Sequence, residues 1–194
     1  MPPPPQPAWY AGDDLSGFEA WCWAQIARGV ADRKSALHTP TLCTIGLDGA
    51  PRARVLVLRG ADRAGASLRL HTDRRSAKVE ELNVEPRVSV LFYDATLKLQ
   101  LRVSGTAVVG TEDHATEEAW AATRPFSREC YRVAPPPGTA IVSGGSYAHP
   151  GDDTNARASF ATIRIAVETL EALYLAASGH RRARFGSKAT WLVP

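Results

Sequence analysis

The sequence lacks the features that mark several large classes of protein. Its three cysteines, Cys22, Cys43 and Cys130, are odd in number and far apart, with no CxxC pair. That spacing argues against a disulfide framework or a thiolate zinc site and suits a reducing compartment. No run approaches the ~20 apolar residues that a membrane span needs. Met1–Pro2–Pro3–Pro4–Pro5–Gln6–Pro7 has neither a basic end nor an apolar centre, so it is not read as a signal peptide and a cytoplasmic protein is expected. There is no Walker motif, no GxGxxG fingerprint, no Ser–His–Asp pattern and no cluster of metal ligands, so no metal is expected. A net charge of +3 is too small to argue for nucleic acid, and neither nucleic acid nor membrane is an expected partner.

What is present reads as a soluble globular chain. Its 194 residues, 44% hydrophobic and 22% charged, are enough for one domain with a substantial core. The proline-rich start predicts disorder over residues 1–10, followed by a single domain over 11–194. Ser16 followed by Glu19 forms a capping box for a helix reaching about Ala31. Phe18, Trp21, Cys22, Gln25 and Ile26 would share one face of it, with Trp23 on the flank. Strands are predicted over Thr41–Leu47, Val88–Tyr93 and Leu97–Val109, and Asp48–Gly49 marks a hairpin after the first. Thr111 can cap a helix over Glu112–Thr123, and Arg124–Pro125 begins a shorter one through Tyr131. Ala140–Asn155 has no decisive period and is taken as a loop near the site. Beyond it, Phe160–Val167, Thr169–Ala176, His180–Phe185 and Thr190–Val193 read as strands, although Val167–Ala177 also fits a helix. The whole is mostly β, a barrel with peripheral α-helices.

The most informative stretch is Pro51–Lys78. PRARVLVLR sets Val55, Leu56, Val57 and Leu58 between Arg54 and Arg59, and Ser67–Thr72 alternates like a half-buried strand. In TDRRSAK, Ser76 stands where a helix N-cap belongs, ahead of a helical run to Asn83. Arg54, Arg59, Arg75 and Lys78 would then surround a helix N-terminus, an arrangement suited to a phosphate. A solvated basic surface is the alternative.

RVLVLR, HTDRRSAK, NVEPRVSVLF and LQLRVSG occur here in that order, and together they resemble the pyridoxamine 5′-phosphate oxidase-like family of FMN-binding split β-barrels. The resemblance runs from about Thr41 to Ala107 and resumes from Phe160 to Pro194. It implies an FMN-dependent oxidoreductase that takes a hydride from a small-molecule substrate, with possible reoxidation by O₂, and a homodimer in which each flavin site is built from two chains. The oxidase of vitamin B6 synthesis is one alternative, and a flavin carrier or sensor without turnover is another. Split barrels that use deazaflavin F420 or degrade haem also share the fold.

Residue by residue, the resemblance places FMN against Arg54, Val55, Leu56, Val57, Arg59, His71, Thr72, Arg75, Ser76, Lys78, Gln100, Tyr174 and Arg184. Where the oxidases have Ser–Arg–Lys this chain has Ser76–Ala77–Lys78, so Arg75 is expected to supply the missing phosphate fork. Gln100 would bond the flavin edge, with Tyr174 and Arg184 near the ring. Arg59, Arg124, His180 and Arg182 would contact substrate. His180 and Arg182 reverse the order of an Arg–x–His pair, which puts a B6 substrate in doubt. Trp120 and Arg128 replace a tyrosine and a serine of the second phosphate set, and packing is the expected role of Trp120. No catalytic residue is assigned, because the flavin would carry the chemistry.

Overall fold

The computed structural model describes residues 6–194. Nine antiparallel strands form its centre: β1 (Thr41–Ile45), β2 (Pro51–Val55), β3 (Leu58–Asp62), β4 (Ser67–Asp73), β5 (Arg87–Asp94), β6 (Leu99–Gly110), β7 (Phe160–Tyr174), β8 (Arg181–Phe185) and β9 (Thr190–Leu192). They run in the order β2-β1-β5-β6-β7-β4-β3, with β8 added to β7 and β9 to β8. Alternation turns Leu42, Leu70, Val90, Phe92, Leu99, Leu101, Val103 and Ile163 into one buried core and leaves opposite faces that mix polar residues with exposed Leu91, Tyr93 and Val108. The mostly-β class expected from the sequence is the observed one.

The stretch read as two strands, Phe160–Val167 and Thr169–Ala176, is the single strand β7. Its first half pairs with β4, its second half with β8, and both halves with β6. The changeover coincides with a register shift between Ser104 and Gly105. Gly105 is required there, since a Cβ would lie 2.0 Å from the Ala166 carbonyl oxygen.

Six helices surround the sheet: α1 (Ala8–Ala11), α2 (Leu15–Ala31), α3 (Ala77–Val84), α4 (His114–Ala121), α5 (Pro125–Arg128) and α6 (Asp153–Ser159). The expected disorder of residues 1–10 is corrected at its later end, while residues 1–5 lie outside the described residues. Ala8–Ala11 are helical and Trp9 is only 5% exposed. Its indole stacks on Phe18 at 4.0 Å, and Phe18 in turn meets Phe185 and Trp191. Aromatic area of that size outweighs the ordering cost of a short segment. Asp14, not Ser16, caps α2: its Oδ1 accepts from the Gly17 amide at 3.0 Å, and the Ser16 hydroxyl donates to the same oxygen. Trp23 is buried rather than flanking. Asp113 instead of Thr111 caps α4, and α6 takes up the end of the stretch expected to be loop. Among the described residues no helix is long and apolar enough to cross a membrane.

Candidate functional site

Arg54 pairs in register with inward-facing Leu42, so it points into the barrel rather than away from it. Its guanidinium donates to Glu81 Oε2 at 2.8 Å and to the Thr44 hydroxyl, which itself donates to Glu81 at 2.6 Å. Glu81 comes from α3, so this buried group ties the helix to β1 and β2. Thr72 and Ser76, both buried, lie beside it, and Lys78 Nζ donates to their hydroxyls at 3.2 and 2.9 Å. Lys78 forms no ion pair among the described residues. Burial, and then the charge of Arg54, lower its pKa from the ordinary lysine value. Ser76 occupies the N-cap position but sends its hydroxyl back to the Asp73 carbonyl at 2.6 Å, leaving the first turn of α3 without a side-chain cap. Sequence reasoning missed Thr44 and Glu81, since nothing in their local pattern separates them from ordinary strand and helix positions.

Arg75 does not join this group. Its fork is closed on Asp73, with Nε and Nη2 bonds of 2.9 and 2.6 Å, and Nη2 also donates to the Val133 carbonyl. The nearest anion, two residues away on the same turn, holds the donors that the resemblance assigns to the phosphate.

His71 and Thr72, expected to act as a pair, lie on opposite faces of β4. Thr72 faces Lys78, whereas His71 turns outward with Arg69. Arg59 is the extra residue of a bulge, between the Leu58↔Leu70 and Gly60↔Arg69 pairs, and projects to the same side. These three, with Arg33, His38 and Arg124, line a cavity of ≈ 240 Å³ under the end of α2 and the α4–α5 turn. Burial first, then the charges of Arg59 and Arg69, press His71 down to about 3, so its imidazole is neutral. Arg59 Nε, Arg69 Nε and His71 Nε2 are all buried without a hydrogen-bond partner. Arg59 and Arg124 are thus brought together as expected. Arg69 was missed, though its place two residues before His71 on an alternating strand puts it on the same face.

Val55 is exposed at the end of β2, and Leu56 and Val57 form the kink to β3, where the Leu56 amide donates to the Pro40 carbonyl at 3.0 Å. Gln100 lies on the outer face of β6, opposite Leu173. That face also carries Glu171, which accepts from Arg182 at 2.6 Å and Arg102 at 3.0 Å and lies 3.7 Å from Arg184. Burial opposes its ionisation, but the Arg182 hydrogen bond and the neighbouring charges prevail and hold the carboxyl below its usual range. His180 lies exposed just before β8. Within one chain the sheet separates Gln100, Arg182 and Arg184 from the inward group at Lys78. Tyr174 pairs with Leu99, so it points inward, only 6% exposed, against Trp9, Tyr10 and Trp21, and away from the face that carries Arg184. Trp120 packs with Tyr131 and Phe160 beneath the Arg128 guanidinium, which bonds the Trp120 and Thr123 carbonyls and Asp153.

The family model described as the FMN-binding domain of pyridoxamine 5′-phosphate oxidase matches residues 20–111. The pyridoxine/pyridoxamine 5′-phosphate oxidase 2 of Arabidopsis thaliana is 30% identical over 178 residues, 87% of this chain and 89% of the relative. The corresponding oxidase of Cupriavidus pinatubonensis is 31% identical over 116 residues, 60% of this chain, and the match spans only 51% of that enzyme's length. Among solved structures, a pyridoxamine 5′-phosphate oxidase-related FMN-binding protein from Nostoc punctiforme has a TM-score of 0.75 at 20% identity, covering 98% of this chain and 100% of that one. PhzG from Burkholderia lata, solved with tetrahydrophenazine-1-carboxylic acid, has a TM-score of 0.67 at 19% identity, covering 98% and 94%. The chain belongs to the pyridoxamine 5′-phosphate oxidase-like family of FMN-binding split barrels, and its cofactor is FMN.

The residues present fit that cofactor. A half-buried ammonium held only by hydroxyls, beside a helix start with open amides, matches a phosphomonoester in charge and in hydrogen-bonding type.

Proposed function

We propose that the protein is an FMN-dependent oxidoreductase acting on a small anionic molecule, and that it works as a homodimer. Lys78 carries the reading: it is a desolvated cation whose partners among the described residues are the Thr72 and Ser76 hydroxyls, with no carboxylate among them in contact. Lys78, Thr72, Ser76 and the α3 amides would hold the FMN phosphate, with Arg54 lending charge from its pair with Glu81. When bound, FMN supplies the acceptor for a hydride from substrate, and O₂ can regenerate it. Arg59 and Arg124 would bind the substrate's anionic group, and neutral His71 would offer a hydrogen bond without charge.

The Gln100, Arg182 and Arg184 face cannot serve the same chain's Lys78 group, so it is assigned to the flavin site of a second copy. Exposed Leu91 and Tyr93 beside it favour a covered face. Free Cys22, Cys43 and Cys130 fit a reducing, cytoplasmic setting. Residues 11–194 are taken as one domain, onto which α1 docks.

An anionic substrate agrees with the names of the relatives, which include oxidases of pyridoxine and pyridoxamine 5′-phosphate, and with the carboxylic acid in the PhzG structure. The test is the absorbance spectrum of the purified protein, mass analysis of what it releases, and light scattering. FMN in a dimer is expected. Release of FAD or F420, or a monomer retaining stoichiometric flavin, would overturn the reading. Assay of pyridoxine and pyridoxamine 5′-phosphate with O₂ as acceptor then decides whether a B6 ester is the substrate.

A further inference from the structure

We propose that the arginine-lined cavity takes a ligand with two anionic groups, an inner one held by Arg59 and Arg69 and an outer one by Arg33 and Arg124. The inference rests on the reading above, that this cavity is the substrate pocket, and names the class of substrate it selects.

The distribution of ion pairs points to it. Every other arginine of the chain has a carboxylate partner among the described residues. Arg33, Arg59, Arg69 and Arg124 have none, and all of them line this one cavity, whose wall contains no Asp or Glu. Chance placement on a surface with so many carboxylates would not collect the unpaired arginines in one place.

Desolvation sharpens the argument. Arg59 Nε and Arg69 Nε are buried with no acceptor, and such groups are seldom left unmet without a functional reason. A guanidinium cannot shed its proton to relieve the crowding of like charges, so an anion is the group that would offset it. His71 cannot share the load, because burial and then the same two arginines keep it neutral, and its orphaned Nε2 contributes a hydrogen bond alone.

Charge counting sets the class. One phosphomonoester dianion offsets about two guanidiniums and would leave the charge of the others without an offset in the same cavity. Arg59 and Arg69 are half-buried whereas Arg33 and Arg124 are exposed at the rim, so the cations form an inner and an outer pair. A cavity of ≈ 240 Å³ suits a compact ligand, such as a small diphosphate or a phosphate joined to a carboxylate.

The probes are pyrophosphate and inorganic phosphate, titrated calorimetrically into FMN-loaded protein at constant ionic strength. Pyrophosphate is expected to bind at least about tenfold tighter than phosphate, since each charge-assisted contact contributes about that much or more. Arg33→Gln should remove most of this advantage and leave phosphate affinity within about twofold, while Arg69→Gln should weaken both anions about tenfold or more. Arg87→Gln, an equal loss of charge at an exposed site paired with Glu85, should change neither. Equal affinities for the two anions, no binding of either, or equal losses in Arg33→Gln and Arg87→Gln would overturn the proposal. Because Arg33 is on the rim, its variant still decides the matter if Arg69→Gln does not fold. Flavin content, read by absorbance in every sample, keeps the two readings apart. Anion preference without retained FMN would sink the cofactor assignment only, and retained FMN without anion preference would sink the dianion pocket only.

Discussion

Lys78→Met should separate a ligand-binding residue from a structural one, because it moves affinity and stability in opposite directions. The ammonium donates to Thr72 and Ser76 at 3.2 and 2.9 Å and is half-buried beside the Arg54 guanidinium, with which it forms a like-charge pair. Losing a charge-assisted hydrogen bond to a phosphate costs about 1.5–3 kcal/mol, so FMN affinity should fall roughly tenfold to a hundredfold. Riboflavin, which has no phosphate, should bind as before. The FMN-free protein should be no less stable, since methionine fills similar volume and removes a desolvated charge. Linkage supplies a second check. A lysine whose folded pKa is depressed binds its proton less tightly folded than unfolded, so the FMN-free protein should gain stability as pH rises towards the ordinary value of 10.5. That gain should vanish in Lys78→Met. Fluorescence titration with both flavins and urea denaturation across pH measure these quantities. Equal losses for FMN and riboflavin, or a destabilised FMN-free variant with unchanged FMN affinity, would refute the assignment.

Arg75→Ala should leave FMN affinity within about threefold but cost roughly 1–3 kcal/mol of stability, discounted for partial exposure, because buried Asp73 loses its partner; a larger FMN effect in titration would return the phosphate to Arg75. Trp9→Ala should cost about 3–5 kcal/mol in chemical denaturation, and a loss below about 1 kcal/mol would mean that the segment around α1 is not docked in solution. His71 is depressed to about 3, so it should destabilise the protein as pH falls from 6.5 towards that value, where the unfolded chain takes up a proton the folded one refuses. His71→Asn should flatten that limb of the stability curve, and an imidazole titrating by NMR near 6.5 would contradict the neutral form.

The barrel was legible because alternation is strong where one strand face is buried, as in Leu99–Leu101–Val103 against Gln100–Arg102. The division of labour within the site was less legible. Motif matching treats His71 and Thr72 as a pair, but the pleat sends them to opposite faces. Arg75 looked like a free fork because its nearest acceptor, Asp73, lies on the same tight turn, and the sequence does not show which way that turn closes. Tyr174 was placed near the ring by the resemblance alone, whereas its direction depends on its register with Leu99. Proline richness hid the ordered Trp9 and Tyr10, whose burial depends on contacts as remote as Tyr174 and Gly179. The pairing of Arg54 with Glu81, and the gathering of Arg33, Arg59, Arg69 and Arg124, are likewise products of long-range closure.

The long central strand β7 also sets the order in which the protein can fold. β4 waits for Phe160–Ala166 and β6 for Thr162–Tyr174, so neither has its main neighbour until a segment many tens of residues later has been made. Such distant pairing is costly in loop closure and slow. At about 5–20 residues per second, a ribosome would leave the apolar edge of β6 bare for several seconds before β7 arrives. The early half, β1, β2 and β5, would spend that interval as a partial sheet with a hydrophobic face open to other chains. Yield in a cell should therefore depend on chaperone supply and on translation rate between residues 110 and 174, even for variants whose final stability is unchanged.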